Sequence, residues 1–183
     1  MFKYKIIENF LSEVDFKNLC SIKLKKVDEK EISVYHNAIY KDGRIEAECL
    51  DDETLKRLQK NCHDKAIAIL KELAPKKVSL YEYSEFHIIE TGSKCSFPIH
   101  SDTANKLLSG VIYLMPESNK GTFLYESRGG KNPTEIEWKQ NKALFFSREE
   151  GKSWHSYEGD KESNRIALVY NLMTTNIKGV CEV

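Results

Sequence analysis

Neither sign of charge prevails in this sequence: 28 lysines and arginines face 28 aspartates and glutamates. The chain therefore lacks the global positive field that supplies sequence-independent affinity for nucleic acid, and only a local basic groove remains open to it. No apolar run approaches a membrane span, and Met1-Phe2-Lys3-Tyr4-Lys5 lacks the apolar core of a secretory signal, so a cytoplasmic protein without membrane partners is expected. The five cysteines, Cys20, Cys49, Cys62, Cys95 and Cys181, show no C-x-x-C spacing. That argues against a disulfide framework and against a closed zinc site, and predicts reduced, mostly buried thiols. Internal repeats and low-complexity linkers are also missing. At 183 residues, with 40% apolar and 31% charged side chains, the chain suits one structural unit. Residues 1–77 read as an N-terminal strand and helix support region packed on a core formed by 78–183, with a soft boundary at Pro75-Lys76-Lys77.

What is present divides in the same way. Phe2 to Ile7 reads as a short strand. Ser12 caps a helix with Glu13 and Asp15 in its first turn and Val14, Phe16, Leu19, Cys20 and Ile22 at helical spacing. Ile32 to Tyr40 reads as a strand that turns at Asp42-Gly43 into a second one around Ile45 to Leu50, an edge hairpin. A long helix then begins at Asp51-Asp52-Glu53 and ends at Pro75. Its stripe of Leu55, Leu58, Cys62, Ala66, Ile69, Leu70 and Leu73 calls for a sheet to pack on. From Val78 onward, short strand signals recur: 78–90, 109–115, 121–125, 134–138, 142–146, the segment around His155, and 165–172. Turn chemistry at Thr91-Gly92, Asn119-Lys120-Gly121, Gly129-Gly130, Glu150-Gly151 and Glu158-Gly159-Asp160 separates them. That pattern predicts a mainly β fold, a barrel or jelly roll.

Chemistry concentrates in Phe97-Pro98-Ile99-His100-Ser101-Asp102. Residues i and i+2 of an extended segment share a face, so His100 and Asp102 can converge on one metal ion. A second histidine follows in Ser153-Trp154-His155-Ser156, and ten positions later Arg165 opens the apolar run Arg165-Ile166-Ala167-Leu168-Val169-Tyr170-Asn171-Leu172. On that strand Arg165, Ala167, Val169 and Asn171 share one face, and Ile166, Leu168, Tyr170 and Leu172 the other. The first set reads as a pocket lining and the second as core. His36 reads as a strand-surface histidine, His63 and His87 have no partner at chelating spacing, and Lys106 reads as a solvated loop lysine.

In the order and spacing of His100, Asp102, His155 and Arg165, the region from Tyr81 to Met173 resembles the double-stranded β-helix core of the iron(II)- and 2-oxoglutarate-dependent dioxygenases. Their prolyl-hydroxylase-like branch is the nearest match. The resemblance implies a jelly-roll, cupin-like fold, with His100, Asp102 and His155 as ligands of Fe(II) and catalytic residues, and Arg165 as the anchor of the 2-oxoglutarate carboxylate. Two imidazoles and one carboxylate leave three positions of an octahedral ferrous ion open for a bidentate 2-oxo acid and O2, whereas a structural zinc site is closed by four ligands. The guanidinium fork of Arg165 matches a carboxylate. The resemblance also makes Tyr113, on a face with Ser109 and Val111, a hydrogen-bond partner for 2-oxoglutarate. Asn171, Ser109 and Trp154 are candidates for contacts behind the ligands or with substrate, Trp154 as wall.

The implied reaction is a hydroxylation of a small molecule or a peptidyl side chain, releasing succinate and CO2. Halogenases of this fold replace the carboxylate ligand with a small residue, and Asp102 is retained here. Nucleic-acid dealkylases typically carry a second arginine six residues after the first, where this chain has Asn171. A dealkylase and a non-catalytic jelly roll that holds a metal or sugar stay open as alternatives.

Overall fold

The computed structural model describes residues 2–181. In chain order its elements are β1 (Tyr4–Ile7), α1 (Glu13–Cys20), β2 (Ile32–Tyr35), β3 (Asn37–Tyr40), β4 (Ile45–Ala47) and α2 (Asp52–Leu73), then a 3-10 turn (Pro75–Leu80). β5 (Tyr83–Thr91), β6 (Ser96–His100), β7 (Lys106–Met115), β8 (Thr122–Tyr125), β9 (Thr134–Ile136), β10 (Ala143–Phe146), β11 (Trp154–Glu158), β12 (Arg165–Met173) and α3 (Ile177–Cys181) follow. They form two antiparallel sheets. The larger runs β1-β10-β7-β12-β5-β3-β4, with β2 also on β5, and the smaller runs β6-β11-β8-β9. This is the jelly roll expected from the strand pattern.

Strand alternation decides which side chains reach the cavity between the sheets. On β5, Phe86 and Ile88 are fully buried toward the helical layer, as are Leu168, Tyr170 and Leu172 on β12. They join Leu55, Leu58, Cys62, Ala66, Ile69 and Leu70 of α2 in one apolar core. Burying such side chains contributes about 1.5–3 kcal/mol each, which explains why a helix stripe and two strand faces lock together. The opposite faces of β5 and β12 look into the jelly roll.

The N-terminal segments extend the larger sheet. β1 pairs with β10, and both β2 and β3 pair with β5. The Asp42-Gly43 turn joins β3 to β4 as expected, with Gly43 at φ 86°. The run from Ile32 to Tyr40 is split at His36, and pairing to β5 resumes in the same register at Ala38. The cause is the Asn37 side chain. Its Nδ2 donates to the Phe86 carbonyl at 3.0 Å, and its Oδ1 accepts from the backbone N–H groups of Glu48, Cys49 and Leu50. Val78 to Leu80 belong to the 3-10 turn, where a strand was expected; Pro75 at its start favours a tight turn over an extended chain.

Helices α1 and α2 start as the sequence indicates. Ser12 accepts from the Asp15 N–H and donates to the Asp15 carboxylate, and Asp51 accepts from the Thr54 N–H. Asp15 is fully buried and receives Arg57 and Asn61 of α2, each at 2.7 Å, so it ties α1 to α2. Burial alone would raise its carboxyl pKa. The bonds from Arg57, Asn61 and Ser12 outweigh that and hold it below the ordinary value. Of the cysteines, Cys62 is buried, Cys20, Cys49 and Cys95 are half-buried, and all four are free thiols. The Cys181 side chain lies outside the described residues. Among the described residues no helix is long and apolar enough to cross a membrane.

Candidate metal centre

The two histidines come from the smaller sheet. His100 ends β6, and His155 of β11 is its direct register partner, with ring centroids 4.1 Å apart. Each ring is oriented by its own backbone. His100 Nδ1 bonds the Pro98 carbonyl at 3.0 Å and His155 Nδ1 bonds the Ser153 carbonyl at 3.1 Å. A carbonyl oxygen only accepts, so both Nδ1 atoms carry the proton and both Nε2 lone pairs are left for a metal. Phe97 packs against the edge of His100, and Phe146 against His155. Burial pushes the His155 pKa down to about 4; His100 adds to this and Asp102 opposes it, so the ring is neutral near pH 7.

Asp102 follows β6 in a loop and is anchored on the larger sheet. One carboxylate oxygen accepts from Ser109 Oγ at 2.5 Å, the other from Lys106 Nζ at 2.8 Å, and its backbone carbonyl accepts from Arg148 Nε at 2.7 Å. Its burial alone would raise the carboxyl pKa, but Lys106, His155 and Ser109 hold it below the usual carboxylate range. The ligating atoms of His100, Asp102 and His155 all lie within 4.8 Å of one another. Two imidazole nitrogens and an ionised carboxylate form a donor set suited to a ferrous ion.

These residues open onto a cavity of about 240 Å³ between the sheets. Ile32, Val34, Ile89 and Phe97 supply an apolar side, and Arg165, Ala167 and Val169 of β12 line it as their alternation predicts. Arg165 is 4% exposed. Its Nη1 donates to the Lys120 carbonyl at 3.1 Å and its guanidinium lies 4.0 Å from the centre of the Tyr157 ring. Its Nε has no hydrogen-bond partner, and among the described residues no carboxylate pairs with it. A buried cation without a counter-ion is costly, and its burial lowers the Arg165 pKa from the ordinary value. An anionic ligand in the cavity would remove that cost.

The other sequence candidates are placed as follows. Tyr113 is buried beside the cavity, stacked on Trp138 at 4.5 Å, with its hydroxyl donating to Thr122 Oγ1 or the Ile136 carbonyl and accepting from the Thr122 N–H. Thr122 is the member of this group that lines the cavity. Ser109 holds Asp102. Asn171, the register partner of Ser109, is fully buried; its Nδ2 donates to Glu85 Oε2 at 3.1 Å. Trp154 points away from the cavity, with Nε1 on the Gly151 carbonyl and Arg128 over its ring. Lys106, expected as a solvated loop lysine, begins β7 and forms the ion pair with Asp102. Thr122, Tyr157, Arg148 and Glu85 were not singled out in the sequence. Tyr157 alone had a usable signal there, since it is two residues after His155 on one strand.

No protein-family model and no curated protein matches the sequence. Solved structures do. A prolyl-4-hydroxylase from Pseudomonas putida matches at TM-score 0.62 and 12% identity, over 96% of this chain and 95% of that one. A prolyl hydroxylase from Trichoplax adhaerens, in complex with a hypoxia inducible factor peptide fragment, gives 0.59 and 17%, over 97% and 86%. HygX from Streptomyces hygroscopicus, with nickel and 2-oxoglutarate bound, gives 0.59 and 9%, over 94% and 83%. At these identities the likeness is one of architecture: the chain has the jelly-roll fold of the prolyl-hydroxylase-like 2-oxoglutarate–Fe(II) oxygenase structures.

Proposed function

We propose that this protein is a non-haem Fe(II)- and 2-oxoglutarate-dependent oxygenase that hydroxylates a small molecule or a peptidyl side chain. The observation that carries the reading is the buried, unpaired Arg165 in the same cavity as the His100, Asp102 and His155 donor set. A structural metal site gives no reason for such an arginine. A 2-oxo dicarboxylate, chelating a metal at one end and ion-pairing at the other, does.

Iron with 2-oxoglutarate and O2 supplies the oxidising chemistry, coupled to decarboxylation of the 2-oxo acid to succinate. The chain's residues position and isolate it. His100 and His155 present Nε2 atoms whose direction is set by the Pro98 and Ser153 carbonyls. Asp102 is kept ionised by Lys106 and Ser109. Arg165 takes the distal carboxylate of 2-oxoglutarate in a bidentate grip. Thr122 Oγ1 adds a hydrogen bond beside it, so Tyr113 contributes by fixing Thr122. Phe97, Ile32, Val34 and Ile89 shield the cavity from water, which strengthens each charged contact inside.

Anaerobic addition of Fe(II) and 2-oxoglutarate is expected to produce a weak visible charge-transfer band, lost in Asp102→Ala and His155→Ala. Absence of the band in the parent protein, or its survival in both variants, would overturn the assignment. Succinate release measured across amino acids, peptides, sugars and nucleobases then identifies the substrate class.

A further inference from the structure

The cavity between the sheets is lined by more positive than negative charge. Among the described residues that line it, Asp102 is the one acid, and Lys106 and Arg165 are the cations. The two cations enter from opposite ends. β7 and β12 run antiparallel, and Lys106 at the start of β7 pairs with Met173 at the end of β12, whereas Arg165 begins β12. Arg165 is accounted for by the distal carboxylate of a 2-oxo dicarboxylate. Lys106 is not. Its Nζ donates one hydrogen bond, to Asp102 Oδ1 at 2.8 Å, and no other acceptor holds it among the described residues. An ammonium carries three donors, and this side chain is 24% exposed, so two N–H groups face whatever enters. Asp102 does not use up the charge once the site is loaded. Its carboxylate and the carboxylate of the 2-oxo end offset the two charges of Fe(II), and Arg165 offsets the distal carboxylate. His100 and His155 present neutral rings, each with its Nδ1 proton on a backbone carbonyl. One positive charge, that of Lys106, is then left without an anion beside an apolar lining, where it costs more than in water.

We infer that Lys106 anchors the substrate and that the substrate carries a carboxylate, either as a free acid or as the side chain of an aspartyl or glutamyl residue. The inference rests on reading the cavity as an oxygenase site and adds to it the chemical class of the substrate. Placement supports it. Lys106 bonds the carboxylate of a metal donor, so a substrate held on the same ammonium has the carbons next to its own carboxylate beside the metal face. Val111 and Val169, register partners on β7 and β12, line the cavity and give that carbon chain an apolar wall. A neutral substrate would leave the surplus charge in place, and a cationic one would add to it.

Calorimetric titration of the protein saturated with redox-inert nickel and 2-oxoglutarate decides it. The probes are acetate, butyrate and hexanoate against their primary amides, and blocked tripeptides centred on aspartate or glutamate against those centred on asparagine or glutamine. The parent protein is expected to bind at least one acid about tenfold to a hundredfold more tightly than its amide, the range of one charge-assisted hydrogen bond. Preference confined to the free acids assigns a small-molecule substrate, and preference confined to the tripeptides assigns a peptidyl one. Lys106→Gln is expected to abolish the preference and Lys106→Arg to keep it, with nickel and 2-oxoglutarate binding read in the same samples as the check on folding. Lys106→Met repeats the comparison if the glutamine variant does not bind nickel. No preference in the parent protein, or an unchanged preference in Lys106→Gln, would sink the anchor, the second result placing the carboxylate on the metal or on Arg165. An intact Fe(II)–2-oxoglutarate band without acid preference overturns the anchor alone, whereas a missing band overturns the oxygenase reading and the charge balance behind Lys106 with it.

Discussion

Replacing Arg165 with methionine is expected to make the unliganded protein more stable while removing its hold on 2-oxoglutarate. The side chain is 4% exposed and makes one hydrogen bond, to the Lys120 carbonyl. Losing that bond costs about 1 kcal/mol, and losing the contact over the Tyr157 ring costs about 1–2 kcal/mol. Against this, an unpaired charge taken out of water carries a penalty of several kcal/mol, which an apolar chain of similar volume does not. The balance favours Arg165→Met by about 1 kcal/mol, a rise in melting temperature of about 2–4 °C for a chain of this size. The same substitution removes two charge-assisted bonds to a carboxylate. At about 1.5–3 kcal/mol each, these correspond to a 2-oxoglutarate affinity about 10²–10⁴-fold weaker. Thermal melts with and without nickel and 2-oxoglutarate read both effects, because a ligand that binds only the folded state raises its melting temperature. The parent protein should gain stability from 2-oxoglutarate and the variant should not. A variant that melts several degrees lower without ligand, and loses nickel and 2-oxoglutarate affinity in equal measure, would refute the reasoning and make Arg165 a structural residue.

Other expectations concern the frame around the site. Asp15→Ala strands Arg57 and Asn61 and should cost about 3 kcal/mol in urea unfolding; Arg57 is 31% exposed and partly recovers solvent, which keeps the loss from being larger. Asp15→Asn tests the pH dependence. Because the folded-state pKa of Asp15 is lowered, its contribution is fully present above the unfolded value and fades as pH falls through the folded one. The stability gap between parent and Asp15→Asn should therefore close only below about pH 4, and a gap that closes near neutrality would contradict the burial and pairing described. Gly110→Ala would place a methyl 2.3 Å from Phe145 Cε1 and 2.8 Å from the Tyr170 carbonyl, both in the core. An overpacking cost of about 1–3 kcal/mol is expected as a lower melting temperature, and an unchanged melt would mean that Phe145 can yield.

That His100, Asp102 and His155 cluster and share a cavity with Arg165 was legible because the pattern is carried by residue type at fixed order along the chain. The alternation of Arg165, Ala167 and Val169 was equally legible, since a strand has a period of two and all three line the cavity. The helix starts at Ser12 and Asp51 were written as local capping signals. Contacts that depend on register across distant segments were hidden. Lys106 reads as a loop lysine until β7 is seen to begin with it, four residues after Asp102. The hydroxyl of Tyr113 is claimed by Thr122 and Ile136, which its own strand does not reveal. The bond from Asn171 to Glu85 depends on the register of β5 against β12, and the break at His36 on the Asn37 amide that holds the Phe86 carbonyl.

Strand β12 also works as a gauge. Arg165 and Val169 bound the stretch of one face that lines the cavity, four residues or about 13 Å apart. Whatever lies along that face must fit that interval. Adding or removing a single residue after Arg165 would turn every following side chain to the other face, so Ala167 and Val169 would leave the cavity for the core. The interval can be lengthened or shortened only in steps of two residues, about 7 Å at a time. Divergence along this strand would therefore change the accepted molecular length in discrete jumps, while point substitutions at Ala167 and Val169 change the shape of the lining at a fixed length.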